Sequence, residues 1–328
     1  MRLTPTKLKE LCEQYDLSPS KKYGQNFLIQ EHPIKKMFEA AEINKNDLVV
    51  EIGPGFGILT FALAEKAKKV IAFEIEKKIE NYWQENKPEN VEIIWGNALM
   101  SLRGSRFASA DEAIPSLVKS AKGLPHLARA GFAMPGYKVI ANVPYQITSD
   151  LIRTLLELEN KPESITIMVQ KEVAERICAQ AGEMSLLAIS VQYYGEVKTV
   201  AIVTRGNFWP EPKVDSAILH IKVRQQPPCS PFIKGETNKP CLIPPLVKGG
   251  RGDIDQEQFF KIVKTGFSQK RKQLWSNLSK GLKIEGEMVK KVLLEVVGND
   301  KVRAEELGVE EWKEITTRLS TTSKEKLL

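Results

Sequence analysis

An amide, a proline and an aromatic ring stand together in Ala141-Asn142-Val143-Pro144-Tyr145, directly after the strand-like run Lys138-Val139-Ile140. Such a combination can grip a flat base that carries an amino group. The Asn142 side-chain oxygen and the carbonyl of Val143 or Pro144 can accept hydrogen bonds, and the Tyr145 ring offers a stacking face. The same residues also suit a strand that simply ends in an Asn-Pro type of turn. A second site is therefore needed to favour the chemical reading.

That site lies upstream, where Leu48-Val49-Val50-Glu51-Ile52 breaks into Gly53-Pro54-Gly55-Phe56-Gly57 and then into Ile58-Leu59-Thr60. Dinucleotide sites read G-x-G-x-x-G, whereas the G-x-G-x-G spacing here suits a nucleoside without a pyrophosphate. A second run, Lys69-Val70-Ile71-Ala72-Phe73, ends in Glu74 and Ile75, about where a carboxylate binds ribose hydroxyls. A third, Val91 to Trp95, ends in Gly96-Asn97-Ala98. A turn, a carboxylate and an amide at three strand ends describe an adenosine crevice at the carboxyl edge of a parallel sheet. Gly53, Gly55, Gly57, Glu74, Ile75, Asn97 and Ala98 are the residues placed to line it.

The elements that must position these groups read as a leader helix at about Lys7 to Tyr15, then alternating strands and helices through Val223, as in a doubly wound α/β sheet. A helical tail follows: Phe259, Val263, Phe267, Leu274 and Leu278 fall near helical spacing, predicting one amphipathic helix or two between Asp255 and Leu282. Seven lysines and arginines and no acid lie between Glu257 and Glu285. Either a solvated helix face or a contact to RNA phosphates would produce that run.

At 328 residues the chain can hold one large domain and a smaller one, and its formal charge of +7 suits a polyanionic partner without requiring one. Cys12, Cys178, Cys229 and Cys241 form no CxxC pair, so neither a zinc site nor a disulfide framework is expected, and reduced thiols in a cytoplasmic protein are. His32, His126 and His220 have no evident partners and read as structural or exposed. No apolar run approaches the roughly 18 residues of a membrane span. Glu10, Glu13 and Asp16 among the first lysines argue against a signal or transit peptide.

Taken together the chain resembles the S-adenosylmethionine-dependent small-subunit rRNA adenine N6,N6-dimethyltransferases. Lys21-Lys22-Tyr23-Gly24-Gln25-Asn26-Phe27-Leu28 resembles that family's opening signature, and the glycine loop, Glu74 and the Asn142 to Tyr145 tetrad follow in family order. Val169 to Arg176, Phe208-Trp209-Pro210-Glu211-Pro212-Lys213-Val214-Asp215-Ser216-Ala217 and Phe267 to Leu274 resemble three further blocks, the last a basic helix signature. The resemblance implies a Rossmann-like methyltransferase domain over 1–225 and a smaller helical RNA-binding domain over 255–328. Two stretches fit neither and are expected to be surface insertions with little core: an insertion at about 101–136, and a low-complexity linker rich in Pro and Gly at 226–254.

By the same resemblance, Asn26, Leu28 and Asn142 join the cofactor contacts, with Asn26 and Leu28 at the methionine end. Asn142, Pro144 and Tyr145 carry the catalytic step, Phe208 covers the second face of the flipped adenine, and Lys270, Arg271 and Lys272 meet RNA. Phe208 would equally serve as a core aromatic beside a turn. The implied reaction places two methyl groups on N6 of each of two adjacent adenines in the 3′ hairpin of 16S rRNA, as part of small-subunit biogenesis. It needs no metal, and nothing demands more than a monomer. Two departures stand out: Asn97 replaces the family's usual aspartate against the cofactor adenine, retaining an acceptor oxygen without charge, and Gly182-Glu183-Met184-Ser185-Leu186-Leu187 replaces an expected Tyr-Gly. The alternatives are a large-subunit dimethyltransferase of the antibiotic-resistance type, a mainly non-catalytic subunit assembly factor, and a DNA adenine methyltransferase.

Overall fold

The computed structural model describes residues 3–19, 26–104, 136–224 and 255–325. Both predicted insertions fall largely outside these, as do Lys21 to Gln25, His126, Cys229 and Cys241. The described residues form two units, one of residues 1–179 with 190–224 and one of 180–189 with 225–328.

In the first unit, α1 (Pro5–Gln14) is started by Thr4, whose hydroxyl accepts from the Lys7 amide. Then come β1 (Phe27–Leu28), α2 (His32–Ala41), β2 (Leu48–Ile52), α3 (Ile58–Lys66), β3 (Lys69–Glu74), α4 (Glu80–Asn86), β4 (Val91–Trp95) and α5 (Ala98–Gly104). Beyond the undescribed stretch run β5 (Tyr137–Asn142), α6 (Tyr145–Leu156), β6 (Ser164–Gln170), α7 (Lys171–Ile177), α8 (Leu186–Tyr194), whose first four residues belong to the second unit, β7 (Gly195–Val203), β8 (Phe208–Trp209) and β9 (Ser216–Val223).

Seven strands make one sheet in the order β4-β3-β2-β5-β6-β9-β7. The first five are parallel, and β9 runs antiparallel to both β6 and β7. Helices cover such parallel strands on both faces, which is why β2, β5 and β6 read as apolar runs and not as alternating ones. Val49, Val50, Val139, Ile140, Ile165 and Ile167 are all buried, and each such side chain contributes about 1.5–3 kcal/mol relative to exposure. The strand order reverses between β2 and β5. Ligands of open α/β sheets bind at that reversal, beyond the carboxyl ends of the strands.

The second unit contains α9 (Gln256–Gly266), α10 (Leu274–Leu282), α11 (Gly286–Val297) and α12 (Val309–Glu325). Phe259, Val263, Leu274, Leu278, Val289, Leu293, Trp312 and Ile315 form its buried interior. Gly266 lets α9 approach α12, since a Cβ there would lie 2.3 Å from the Trp312 ring. Residues 180–189 join this unit through the amides of Gly182 and Met184, which both donate to the Glu305 carbonyl. Among the described residues no helix is long and apolar enough to cross a membrane, and no group of three or more His, Cys, Asp or Glu could hold a metal ion.

Candidate active site

A cleft of about 450 Å³ opens where the strand order reverses, lined at one edge by the loop after β2 and at the other by the turn after β5. It gathers Asn26, Leu28, Gly53, Gly55, Gly57, Glu74, Ile75, Asn97, Ala98, Asn142, Pro144 and Tyr145, residues separated by more than a hundred positions in sequence.

The glycine loop is fixed from several sides. Its amides at Gly53 and Gly57 donate to the carbonyls of Phe73 and Pro54, and Gly55 N donates to Glu74 Oε2 at 3.0 Å. From α4, Tyr82 donates its hydroxyl to the Phe56 carbonyl at 2.8 Å and Trp83 its indole N–H to the Gly55 carbonyl at 3.0 Å. Gly57, at φ +87°, is held to a bare backbone by its neighbours: a Cβ would fall 2.6 Å from Phe61 and 2.8 Å from Trp83, so these rings would have to shift. Tyr82 and Trp83 do not figure among the sequence candidates, because their partners are main-chain atoms 26 and 28 residues away.

Glu74 closes β3 as a buried carboxylate that receives three backbone N–H groups: Gly55 on Oε2, and Ile75 and Glu76, each at 2.8 Å, on Oε1. Burial raises its pKa and these donors restrain the rise. Only Oε2 retains an unfilled acceptor position, so the carboxylate has one place left for a ligand hydroxyl. Beside it Ile75 is 65% exposed while lining the cleft, an apolar side chain held out against the site.

Asn97 behaves differently from the sequence expectation. Its Oδ1 accepts from the amides of Leu99 at 2.9 Å and Met100 at 3.4 Å, capping the start of α5. The oxygen expected to face an adenine amine is occupied, and the Nδ2 donor is what remains for the cleft. Ala98 follows it, buried against the same wall.

On the opposite edge, Asn142 Nδ2 donates to the Asn26 carbonyl at 3.4 Å. Asn142 Oδ1 takes no hydrogen bond within the described residues, so its acceptor capacity remains. The Pro144 carbonyl takes the Ile147 amide and the Thr148 hydroxyl as α6 begins, leaving Val143 as the better main-chain acceptor of the pair. The Tyr145 and Ser216 hydroxyls share a hydrogen bond of 2.7 Å, which ties the half-buried Tyr145 ring to the start of β9. Burial raises the Tyr145 pKa, the Ser216 bond offsetting part of the rise and Asp215 adding to it.

Glu51, which does not figure among the sequence candidates, also lines the cleft. It is 1% exposed, and its Oε2 has no hydrogen-bond partner. Burial pushes its carboxyl up to about 8; the Thr60 hydroxyl beside it stops short of a hydrogen bond and draws the value back only in part, while Glu74 adds to the rise.

Two expectations are revised. Phe208 is 3% exposed and belongs to the hydrophobic core, where β8 pairs with β1 and Leu28 faces Phe208. Its ring packs inward and does not line the cleft, the core alternative raised for it. Lys270, Arg271 and Lys272 are exposed, but on a turn between α9 and α10 and not on a basic helix. Asn277 holds that turn by donating to the carbonyls of Gly266 at 2.7 Å and Gln269 at 3.1 Å. Lys270 reaches Glu305 at 3.7 Å. His220 is buried against the Thr166 hydroxyl at 2.8 Å and is structural.

The family model for ribosomal RNA adenine dimethylase matches residues 17–231. The chain is 35% identical over 310 residues to ribosomal RNA small subunit methyltransferase A of Dehalococcoides mccartyi, covering 94% of this chain and 90% of that one. To the protein of the same name from Bacillus cereus it is 32% identical over 321 residues, 96% of each. Among solved structures, the 23S rRNA methyltransferase ErmE superposes with a TM-score of 0.61 at 23% identity, over 90% of this chain and 100% of that one. A dimethyladenosine transferase from Plasmodium falciparum gives a TM-score of 0.62 at 23% identity, over 90% and 98%. These two likenesses speak for the shared fold.

Proposed function

The chain belongs to the ribosomal RNA adenine dimethylase family, and from that premise we propose that it dimethylates N6 of two adjacent adenines in the 3′-terminal hairpin of small-subunit rRNA, as part of subunit biogenesis. It is a methyltransferase, with S-adenosylmethionine as donor. The observation that carries the reading is the Asn142 to Tyr145 turn facing the glycine loop across one cleft at the strand-order reversal. The relatives at 32 to 36% identity carry the small-subunit name, which favours this reading over a large-subunit one.

The cleft suits this donor. Among the described residues its lining includes Glu51, Glu74 and Glu76 and no lysine, arginine or histidine, a balance that favours a sulfonium over an anionic nucleotide. When bound, the donor supplies an activated methyl group, so the protein needs neither a nucleophile nor a metal. Gly53, Gly55 and Gly57 shape the floor, Glu74 offers its remaining acceptor position to a ribose hydroxyl, and Ile75 and Ala98 provide apolar contact for the adenine.

The work left to the protein is placing and activating the target amine. Adenine N6 holds its lone pair in conjugation with the ring. Asn142 Oδ1 and the Val143 carbonyl, each accepting one N–H, draw the nitrogen toward a pyramidal shape and stabilise the positive charge that develops on it. Tyr145 stacks on the flipped base. The methylated nitrogen is a strong acid and releases its proton to water without a protein base. Lys270, Arg271 and Lys272 bind phosphates of the RNA, and the protein acts as a monomer.

The test is incubation with radiolabelled donor and small subunits lacking adenine dimethylation, followed by nuclease digestion and nucleoside analysis. Label in dimethyladenosine of the 3′ hairpin is the expected result. Label confined to large-subunit RNA or DNA, or tight subunit binding without transfer, would overturn it.

A further inference from the structure

Glu51 is a carboxyl group in the interior of a parallel sheet, and such a group needs a partner or a proton. It sits on β2 between Ala72 of β3 and Ile140 of β5, both apolar and buried. From α3 the Thr60 hydroxyl lies beside it without completing a hydrogen bond. From the end of β3 it meets Glu74, a second carboxylate. The other ionisable groups on the cleft wall are Glu76 and Tyr145, neither of them a cation. With Oε2 unpartnered and nothing positive facing it among the described residues, the charged form has no compensation within the cleft.

Resting on the cofactor reading above, we infer that Glu51 is the charge-compensating residue of the cleft: it holds a proton until a cationic ligand enters, then releases that proton to solvent and meets the ligand as a carboxylate. The balance is simple. The acid gives a carboxylate and one proton taken up by buffer, no bond to the ligand forms, and the cleft exchanges a proton for the positive charge of the donor's methionine end. The upward displacement of the Glu51 carboxyl to about 8 agrees with this geometry, because at neutral pH most of the free protein then carries the proton.

Binding is therefore proton-linked and specific to cationic ligands. Below the Glu51 titration, donor affinity should rise with pH by up to about tenfold per unit and level off above it. A neutral nucleoside that lacks the methionine end gains nothing from ionising Glu51.

The experiment is isothermal titration calorimetry of the full chain at pH 7 in two buffers of different ionisation enthalpy. S-adenosylmethionine is the cationic probe and 5′-methylthioadenosine the neutral one, and both are repeated with Glu51→Gln. The expected result is release of a large fraction of one proton with the donor, none with the neutral nucleoside, and none with either ligand in Glu51→Gln. The wild-type affinity should also climb between pH 6 and 8 relative to the variant, a comparison that removes the donor's own ionisation. Donor binding without proton release, equal release with both ligands, or undiminished release in Glu51→Gln would each overturn the inference while leaving the cofactor reading intact. Absence of any donor binding would overturn the cofactor reading, and the inference with it. The two-ligand comparison on the wild type decides the question even if the variant does not fold.

Discussion

Alanine at Gly57 and alanine at Gly53 share a loop and a backbone region but not a neighbourhood. Gly53 has φ +74° and Gly57 φ +87°, so both substitutions force an L residue into left-handed backbone, at about 1–2 kcal/mol each. A Cβ on Gly53 would meet only the Asn142 carbonyl at 3.9 Å and Val143 at 4.0 Å, ordinary contact distances. A Cβ on Gly57 would overlap Phe61 and Trp83, at 2.6 and 2.8 Å, two rings that stack on each other 5.6 Å apart. Overpacking of that kind adds about 1–3 kcal/mol, for a total of about 2–5 kcal/mol at Gly57 against about 1–2 kcal/mol at Gly53. The difference corresponds to roughly 5- to 150-fold in the opening equilibrium. Native-state hydrogen exchange at the amides of β2 and β5 reads this quantity for the first unit alone, which avoids assuming that both units unfold together. Displacing Trp83 should also loosen its bond to the Gly55 carbonyl, so Gly57→Ala should weaken donor binding through the loop. Equal exchange in the two variants would show that Phe61 and Trp83 move aside at no cost, and would refute the argument that their packing fixes the loop.

Asn142→Ala should lower turnover on the order of 10²-fold, as loss of a preorganised charge-stabilising group does, with little change in donor affinity, whereas Glu74→Ala should weaken donor binding first; equilibrium binding beside single-turnover kinetics separates the two. Ser216→Ala frees the Tyr145 hydroxyl and should lower kcat/KM for RNA by about 2–10-fold, the equivalent of one hydrogen bond. Tyr145→Phe should match it, and the double variant should add nothing further, a cycle that independent effects would break. Alanine at Lys270, Arg271 and Lys272 together should flatten the salt dependence of RNA binding by about 0.7–0.9 in slope for each phosphate that is no longer neutralised, and an unchanged slope would return the turn to a solvated surface. His220 is held neutral to about pH 4 by burial, with Lys198 adding to the effect, whereas an unfolded chain protonates it near 6.5. Between those values the unfolded state binds the extra proton, so stability should fall as pH drops through this window, and His220→Gln should remove that part of the loss in denaturant titrations at stepped pH.

What was legible in the sequence is what is encoded locally. The runs Leu48 to Ile52, Lys69 to Phe73 and Val91 to Trp95 are strands because a strand buried on both faces must be apolar throughout, and the residues closing each run therefore arrive at one sheet edge. Asn97 had a local signal too: an Asn directly before a helical run is an N-cap, and that role consumes the oxygen otherwise available for an adenine. Phe208 could not be placed from its neighbours, because its burial comes from pairing with Leu28, far away in sequence. The basic triad looked helical because the apolar spacing continues on either side of it. Only the Asn277 amide, bonded to the Gly266 and Gln269 carbonyls, shows that α9 stops and the cations sit on a turn. Glu51 is the instructive case. In the run Leu-Val-Val-Glu-Ile it is the one charge in a strand that the pattern requires to be buried, and a buried charge without a partner is costly. A conflict between local residue type and the burial imposed by the fold marks a residue kept for something other than folding. Its strand neighbours Ala72 and Ile140 supply no cation, and none lines the cleft among the described residues, so there the carboxyl is compensated by a proton or by a cationic ligand.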